Sequence, residues 1–162
     1  MINVHFKPTT DFLDLANRVF VEQKAKISGL LPDADIQHVG STSIPGSITK
    51  GDLDLVIRVQ KDEFRHAIEV LKSIYEINQP KNWSKTFASF KDDKNLGIDF
   101  GAQLVVKGSK SDDFIKLRDI LLENRELVEG LNAIKMKYNG KSMDEYRKEK
   151  ADFFQKLREK FL

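Results

Sequence analysis

The chain contains no cysteine among its 162 residues. This absence excludes disulfide bonds, thiolate zinc sites and cysteine nucleophiles, and it fits a reducing cytoplasm. The sequence also lacks any apolar run long enough to cross a bilayer. Its first ten residues, with Lys7 and Pro8, lack the apolar core of a signal peptide. We therefore expect a cytoplasmic protein with no membrane partner.

The chain has only a small excess of basic over acidic residues. Lysine and arginine together number 27 and aspartate and glutamate 25, which gives a net charge of +2. So small an excess does not favour nucleic acid as a partner. The hydrophobic share of 40% and the charged share of 32% are typical of a soluble globular protein. At this length we expect one domain spanning residues 1–162.

The spacing of apolar residues predicts an α+β fold. Strands are predicted over 2–6, 35–39, 52–59, 75–78, 85–90 and 96–106, and helices over 11–28 and 62–73. Residues 43–51 are predicted to form a loop. From Ser111 onward the pattern is helical, with breaks near Asn124 and at Asn139-Gly140, and Ser142 is placed to cap the last helix. Strands crowd the middle and helices the end, which is typical of α+β proteins.

Two aspartates, Asp52 and Asp54, occupy alternate positions in the clearest strand of the sequence. Alternate residues of a strand point to the same side, so the two carboxylates share a face, opposite the apolar residues between them. Carboxylates held that close repel each other, and a hard divalent cation such as Mg2+ or Mn2+ relieves the repulsion. The alternative is a solvated face of a half-buried strand.

A short turn at Gly40 and Ser41 favours the metal hypothesis. Glycine lets a phosphate approach the backbone, and Ser41, followed by Thr42, offers a hydroxyl beside exposed N–H groups. Lys50 is close enough in sequence to meet the same phosphate, although a loop lysine is more often solvated. The sequence therefore predicts a phosphate-binding turn followed by a metal-binding acid pair.

The stretch His38-Val39-Gly40-Ser41-Thr42-Ser43-Ile44-Pro45-Gly46 resembles the His-Ile-Gly-Ser-Thr-Ala-Val-Pro-Gly signature of the GrpB-like proteins. These belong to the nucleotidyltransferase superfamily with the DNA polymerase β-like fold. The resemblance extends to Lys50, Asp54 and the C-terminal half, through Leu117-Arg118-Asp119, Tyr146, Lys150 and Phe153. It therefore implies a nucleotidyltransferase-like mixed β-sheet packed with helices, with a helical C-terminal part.

This chain departs from the family pattern at two places. Lys50-Gly51-Asp52-Leu53-Asp54 stands where GrpB-like proteins usually carry Lys-Pro, two apolar residues and Asp. That change restores the full acid pair of the wider superfamily. The second departure is Gln103-Leu104-Val105, which replaces a His-Leu-His on a later strand. No role tied to those histidines carries over.

The superfamily usually has a third carboxylate on a neighbouring strand, and Asp99 is the best candidate for it. Gly97, Asp99, Gly101 and Gln103 share one strand face, and glycines there would let a ligand approach. We expect the strand of Asp99 to neighbour that of the acid pair, with all three carboxylates facing one cleft. The alternative for Asp99 is a solvated strand residue. His38 is more simply explained as a structural histidine than as a ligand.

Two functions remain open from the sequence. In the first, the chain is a nucleotidyltransferase in which Asp52, Asp54 and Asp99 hold Mg2+ or Mn2+ and Gly40, Ser41, Thr42 and Lys50 bind a nucleoside triphosphate. The acceptor would be a small molecule or a protein rather than a long nucleic acid, since the length leaves little room for acceptor machinery. In the second, the chain is a non-catalytic module that binds a nucleotide or phosphate and keeps the same fold.

Overall fold

A five-stranded mixed sheet forms the centre of the structure, a computed structural model that describes residues 2–162. The described strands are β1 (Asn3–Val4), β2 (Lys7–Pro8), β3 (Asp35–Val39), β4 (Ile48–Thr49), β5 (Asp52–Val59), β6 (Glu76–Ile77), β7 (Phe87–Asp92), β8 (Asp99–Val106) and β9 (Lys141–Ser142). The helices are α1 (Leu13–Leu30), α2 (Phe64–Lys72), α3 (Phe114–Glu123), α4 (Arg125–Lys137) and α5 (Met143–Phe161). The predicted α+β class is confirmed.

The central sheet has the strand order β3-β5-β8-β7-β6. Only β5 and β8 run parallel, and the other neighbours are antiparallel. A parallel pair needs a long crossover, and here the segment between β5 and β8 contains α2, β6 and β7. This crossover brings the beginnings of β5 and β8 side by side, where Asp52 and Asp99 lie.

The main core lies between one face of the sheet and helices α1 and α2. Residues 53, 55, 57 and 59 of β5 point into this core and are at most 1% exposed. They alternate with Asp52 and Asp54, which therefore lie on the opposite face, as the sequence pattern predicts. Burying these apolar side chains against α1 and α2 is the main stabilising contribution to the sheet.

The opposite face of the sheet is covered by the C-terminal helices along part of its length only. Val39, Val56 and Val105 form a small cluster there with Phe87 and Phe114. Helices α3, α4 and α5 have a core of their own that includes Leu117, Leu121, Leu131 and Leu157. Ser142 accepts a hydrogen bond from the backbone N–H of Glu145, so the predicted cap of α5 is confirmed.

An arginine links the sheet to the segment before α3. The guanidinium of Arg58 donates to Asp35 at 2.7 Å and to both carboxylate oxygens of Asp112 at 2.7 and 2.8 Å. Asp112 also accepts from the backbone N–H of Gly108. Partial burial acts to raise the pKa of Asp112, but the Arg58 hydrogen bond and the other cationic and N–H partners hold it below its usual value.

Two short strand pairs hold the N-terminal segment outside the central sheet. Strand β1 pairs antiparallel with β9, and β2 pairs antiparallel with β4. Of the predicted strand over 2–6 the structure has only the two residues of β1, and the predicted loop over 43–51 contains β4. None of these four two-residue strands has a recognisable sequence pattern, because each is stabilised by pairing with residues distant in the sequence. No helix within residues 2–162 is both long and apolar enough to cross a membrane.

Candidate functional site

The parallel pairing of β5 and β8 sets the positions of the predicted acids. Asp52 is opposite Asp99 in the register, and Asp54 is opposite Gly101. The three acids face the same side of the sheet and line one open cavity of about 530 Å³, which we call the open cavity. The side chain of Asp52 is 19% exposed, that of Asp54 is partly buried and Asp99 is exposed. The predicted placement of Asp99 beside the acid pair is thus confirmed.

Asp54 is held in a cradle of two glycines. A Cβ atom built on Gly40 would lie 2.7 Å from Oδ2 of Asp54, and one built on Gly101 would lie 2.7 Å from Oδ1. Any side chain at either position would therefore collide with the carboxylate. Gly40 also has a φ of 77°, a conformation that favours glycine. The backbones of Gly40 and Gly101 thus pack directly against the two oxygens of Asp54 and help to bury this carboxylate.

The environment of Asp54 disfavours its charged form. Burial and, to a smaller extent, the carboxylate of Asp52 raise the pKa of Asp54 to about 7, while Lys150 and Lys50 oppose the shift. Of the two acids, Asp52 has an ion-pair partner, Lys50 at 3.7 Å, and no such partner lies beside Asp54 within residues 2–162. A partly buried, unpaired acid beside a second acid is the arrangement that a bound cation would stabilise.

Asp99 does not complete a compact cluster. Across residues 2–162, no group of three or more His, Cys, Asp or Glu side chains is arranged so that it could hold a metal ion. Asp99 is the first residue of β8 and is exposed, whereas Asp52 and Asp54 are partly covered. The structure brings the three acids to one face and one cavity but does not gather them into one group.

The predicted phosphate-binding turn is a 3-10 helix of three residues, Ser41–Ser43, that follows Gly40. The first N–H groups of such a turn have no acceptor within it, so those of Ser41 and Thr42 are free of intrahelical bonds. The hydroxyl of Ser41 donates to Oγ1 of Thr49 at 2.9 Å. The turn therefore offers backbone N–H groups more than hydroxyls.

Thr42 and His38 form a buried link between the turn and the acid strand. Thr42 is 2% exposed, and its hydroxyl donates to the carbonyl oxygen of Asp52. Because that hydroxyl has a single proton, Nε2 of His38, 2.8 Å away, is the donor to Thr42. Burial, and then the charge of Arg118, lower the pKa of His38 to about 4, so the ring is neutral at physiological pH. His38 thus has the structural role that the sequence favoured.

Of the cations that line the site, sequence reasoning assigned only Lys50 to phosphate binding. A second cavity of about 280 Å³, the helix-side cavity, lies between the acid pair and helices α3 to α5 and shares Asp52, Asp54, Lys50 and Gln103 with the open cavity. It is also lined by five basic side chains, Lys50, Arg118, Lys135, Lys150 and Arg158. Lys50 lies 3.7 Å from Asp52, and Arg118 donates to the carbonyl oxygen of His38 at 3.0 Å.

A signal for Lys135 was nevertheless present in the sequence. Lys135 follows Val128 and Leu131 by seven and four residues, so it lies on the same face of α4 as these two buried residues. A lysine within an apolar stripe is predicted to be buried, and lysines are almost never fully buried unless they are paired. Lys150 follows the buried Tyr146 by four residues and has the same relation to the inner face of α5.

A family model described as GrpB protein matches residues 16–160 of this chain. The chain belongs to the GrpB family. Among curated relatives, the UPF0157 protein of Vibrio cholerae serotype O1 (strain ATCC 39315 / El Tor Inaba N16961) is 31% identical over 155 residues. The match covers 96% of this chain and 82% of that protein. The resemblance read from the turn motif is thereby confirmed.

Solved structures show the same fold. The conserved protein GrpB from Enterococcus faecalis aligns with a TM-score of 0.71 and 18% identity, covering 89% of this chain and 91% of that chain. A cytoplasmic RNA terminal U-transferase aligns with a TM-score of 0.54 and 14% identity, covering 80% of this chain and 41% of that chain. This GrpB-family chain therefore has a nucleotidyltransferase-like fold.

Proposed function

We propose that this GrpB-family chain transfers a nucleotidyl group from a nucleoside triphosphate to a small-molecule or protein acceptor, with Mg2+ or Mn2+ as cofactor. The observation that supports it best is the acid pair Asp52 and Asp54, which lies between a glycine turn and a group of lysines and in which Asp54 is buried beside the like charge of Asp52. The nucleotidyltransferase-like fold is consistent with this activity, although a fold does not fix a function.

The residues present fit a divalent cation. Asp52 and Asp54 supply carboxylate oxygens, the ligands that Mg2+ prefers, and both residues line the open cavity and the helix-side cavity. Asp99 would contribute a third carboxylate from the neighbouring strand. When bound, such an ion neutralises charge on the phosphates and on the leaving group.

The chain's own residues account for the other requirements of the reaction. The N–H groups of Ser41 and Thr42, with Lys50, would bind phosphate oxygens of the donor nucleotide. An acceptor hydroxyl would form a bond to the α-phosphorus while the bond to the bridging oxygen breaks and pyrophosphate leaves. Asp99, exposed in the open cavity, would take the proton from that hydroxyl. The open cavity gives the acceptor a route to the acid pair.

A second function, a non-catalytic module that binds a nucleotide or phosphate, is favoured by one specific observation. Asp99 is not gathered with the acid pair, and no three-residue metal cluster exists in the described part of the chain. Gln103 also occupies the position of a family histidine and contributes an amide to both cavities instead. A module of this kind would bind a nucleoside triphosphate without releasing pyrophosphate.

Calorimetry with ATP and Mg2+ tests the binding step on which both functions depend. We expect the double variant Asp52→Asn/Asp54→Asn to bind ATP at least about tenfold more weakly than wild type in Mg2+, because charge-assisted ligands of the ion are lost. The matched control is Asp33→Asn, an exposed acid away from both cavities, which should bind like wild type.

Pyrophosphate release then separates the two functions. Release from ATP, CTP, GTP or UTP with a panel of hydroxyl-bearing acceptors, lost in Asp99→Asn, supports transfer. Binding without release by any pair supports the module. Equal ATP affinity of the double variant and wild type in Mg2+ would show that the acid pair is only a solvated edge.

A further inference from the structure

Lys135 is a buried lysine that the proposed reaction does not use. It lies on the inner face of α4 and is 3% exposed. Its Nζ donates to the carbonyl oxygen of Ile48 at 2.7 Å and to Oγ of Ser47 at 3.2 Å. Lysine is almost never this deeply buried unless it is paired, yet no carboxylate lies within ion-pair distance of Lys135 in residues 2–162. Its hydrogen-bond partners are therefore two neutral oxygens, and the described chain supplies no ion pair for its ammonium form.

Lys135 belongs to a group of positively charged side chains. Its ammonium faces Lys150 from α5 and Lys50 from the segment before β5, and Asp52 is the acid that opposes them. Lys150 forms no ion pair in the described chain, and its Nζ lies 5.8 Å from the ring centroid of Tyr146. The other cations that line the helix-side cavity, Arg118 and Arg158, are already paired with Asp119 and Asp113.

Part of the wall of the helix-side cavity is apolar. It is formed by the side chains of Ile44, Leu117, Leu121, Leu131 and Phe154. A free inorganic anion would occupy only the lysine end of this space. A ligand with a charged end and an uncharged, apolar or planar body would fill both parts.

We propose that Lys50, Lys135 and Lys150 form a binding site for the polyphosphate end of an organic phosphate, whose uncharged body occupies the apolar part of the helix-side cavity. The anion site is argued from the cavity alone. Only the identification of the ligand as a nucleoside triphosphate rests on the proposed function. It places the donor nucleotide in the helix-side cavity and leaves the open cavity to the acceptor.

The hydrogen bonds of Lys135 predict that anion binding is linked to proton uptake. Burial, and then the ammonium of Lys150, lower the pKa of Lys135 to about 7. A neutral amine has two N–H donors, and the acceptors on Ile48 and Ser47 satisfy both. Protonation adds a third donor, for which a phosphate oxygen is the acceptor. An anion that binds here should therefore raise the pKa of Lys135 and draw in a proton above about pH 7.

The test is calorimetric titration with inorganic tripolyphosphate in the absence of divalent cations, at about pH 8. We expect Lys150→Met and Lys135→Met each to weaken binding roughly tenfold or more, because each removes a charged donor from a desolvated site. Lys148→Met is the matched control, because Lys148 is exposed on the same helix and should leave the affinity within about twofold of wild type.

Proton uptake adds a measurement that a structural role of Lys135 would not change. Titrations in two buffers of different ionisation enthalpy should show wild type taking up more protons than Lys135→Met. The ligand's own protonation is common to both proteins and cancels in this comparison. If Lys135→Met does not fold, Lys150→Met alone decides the question.

Two results would overturn the proposal: no binding of tripolyphosphate by wild type at millimolar concentration, or affinity of Lys150→Met within about twofold of wild type. Binding that depends on the lysines in a protein that releases no pyrophosphate from any nucleotide would support the anion site and reject the transferase. Pyrophosphate release that Lys150→Met does not change would support the transferase and reject the anion site.

Discussion

Replacing Asp54 with asparagine should stabilise the protein at neutral and alkaline pH. The pKa of Asp54 is raised from 3.8 to about 7, mainly by burial and then by Asp52. A pKa of about 7 in place of 3.8 corresponds to a folding penalty on the order of 4 kcal/mol for the ionised group. The amide of asparagine must also leave water, and part of the penalty belongs to the coupled pair rather than to Asp54 alone. We therefore expect a net gain of about 2 kcal/mol.

The sign of the pH dependence follows from proton binding. Between about pH 4 and pH 7 the folded state holds a proton on Asp54 that the unfolded state has released, so wild-type stability falls as the pH rises through this range. The asparagine side chain of the variant does not titrate. The two proteins should thus differ little below about pH 4 and most above about pH 7.

Urea denaturation at several pH values between 4 and 8 measures this difference directly. In thermal melting the expected gain corresponds to a rise in Tm of about 4–8 °C at pH 8 for a chain of this size. Asp33→Asn serves as the control, because Asp33 is exposed and should change the stability by less than about 0.5 kcal/mol. A variant that is no more stable than wild type at pH 8, or whose gain persists unchanged at pH 4, would refute the reasoning.

Other variants test the geometry around the site and the link between the sheet and the helices. Gly101→Ala should weaken Mg2+-dependent ATP binding in calorimetry, because its Cβ would lie 2.7 Å from Oδ1 of Asp54, whereas Gly130→Ala on α4, 3.8 Å from the nearest ring atom, should not. Equal ATP affinities of these two variants would contradict the inference that the close approach of Gly101 to Asp54 is needed for binding. Arg58→Ala should lower the free energy of unfolding in urea by about 2–4 kcal/mol, since it leaves a mostly buried carboxylate unpaired, and the exposed Arg65→Ala is its control.

The sequence predicted the central strands well because their patterns are local. The predicted ranges 35–39 and 52–59 coincide with β3 and β5, where alternating or continuous apolar residues are bounded by turns. The placement of Asp99 beside Asp52 came from the family resemblance, since no local pattern reveals which strands become neighbours. The pairing of β2 with β4 could not be foreseen, because two-residue strands have no period of their own.

The acids of the site and Lys50 could be predicted from the sequence, whereas the positions of Lys135 and Lys150 in the site could not. Asp52 and Asp54 share a strand with each other and lie close in sequence to the turn that faces them. Lys135 and Lys150 reach the same cavity from helices that lie about 80–100 residues further along the chain. In sequence they resemble the many solvated lysines of amphipathic helices, and only their spacing from buried neighbours distinguishes them.

The pairing of β1 and β2 shows that residues outside the region matched by the family model contribute to the structure of the site. The family model matches from residue 16. Residues 2–9 precede this match, yet they form backbone hydrogen bonds both to the segment before α5 and to the loop that contains Ser47. The carbonyl oxygens of Ile2 and Val4 accept from the backbone N–H groups of Met143 and Gly140, and the N–H of Thr9 donates to the carbonyl oxygen of Ser47. A chain shortened to the matched region would free the start of α5, which carries Lys150, and the segment that supports Lys135. The N-terminal residues thus act as a tether between the two halves of the pocket, outside the region by which the family is recognised.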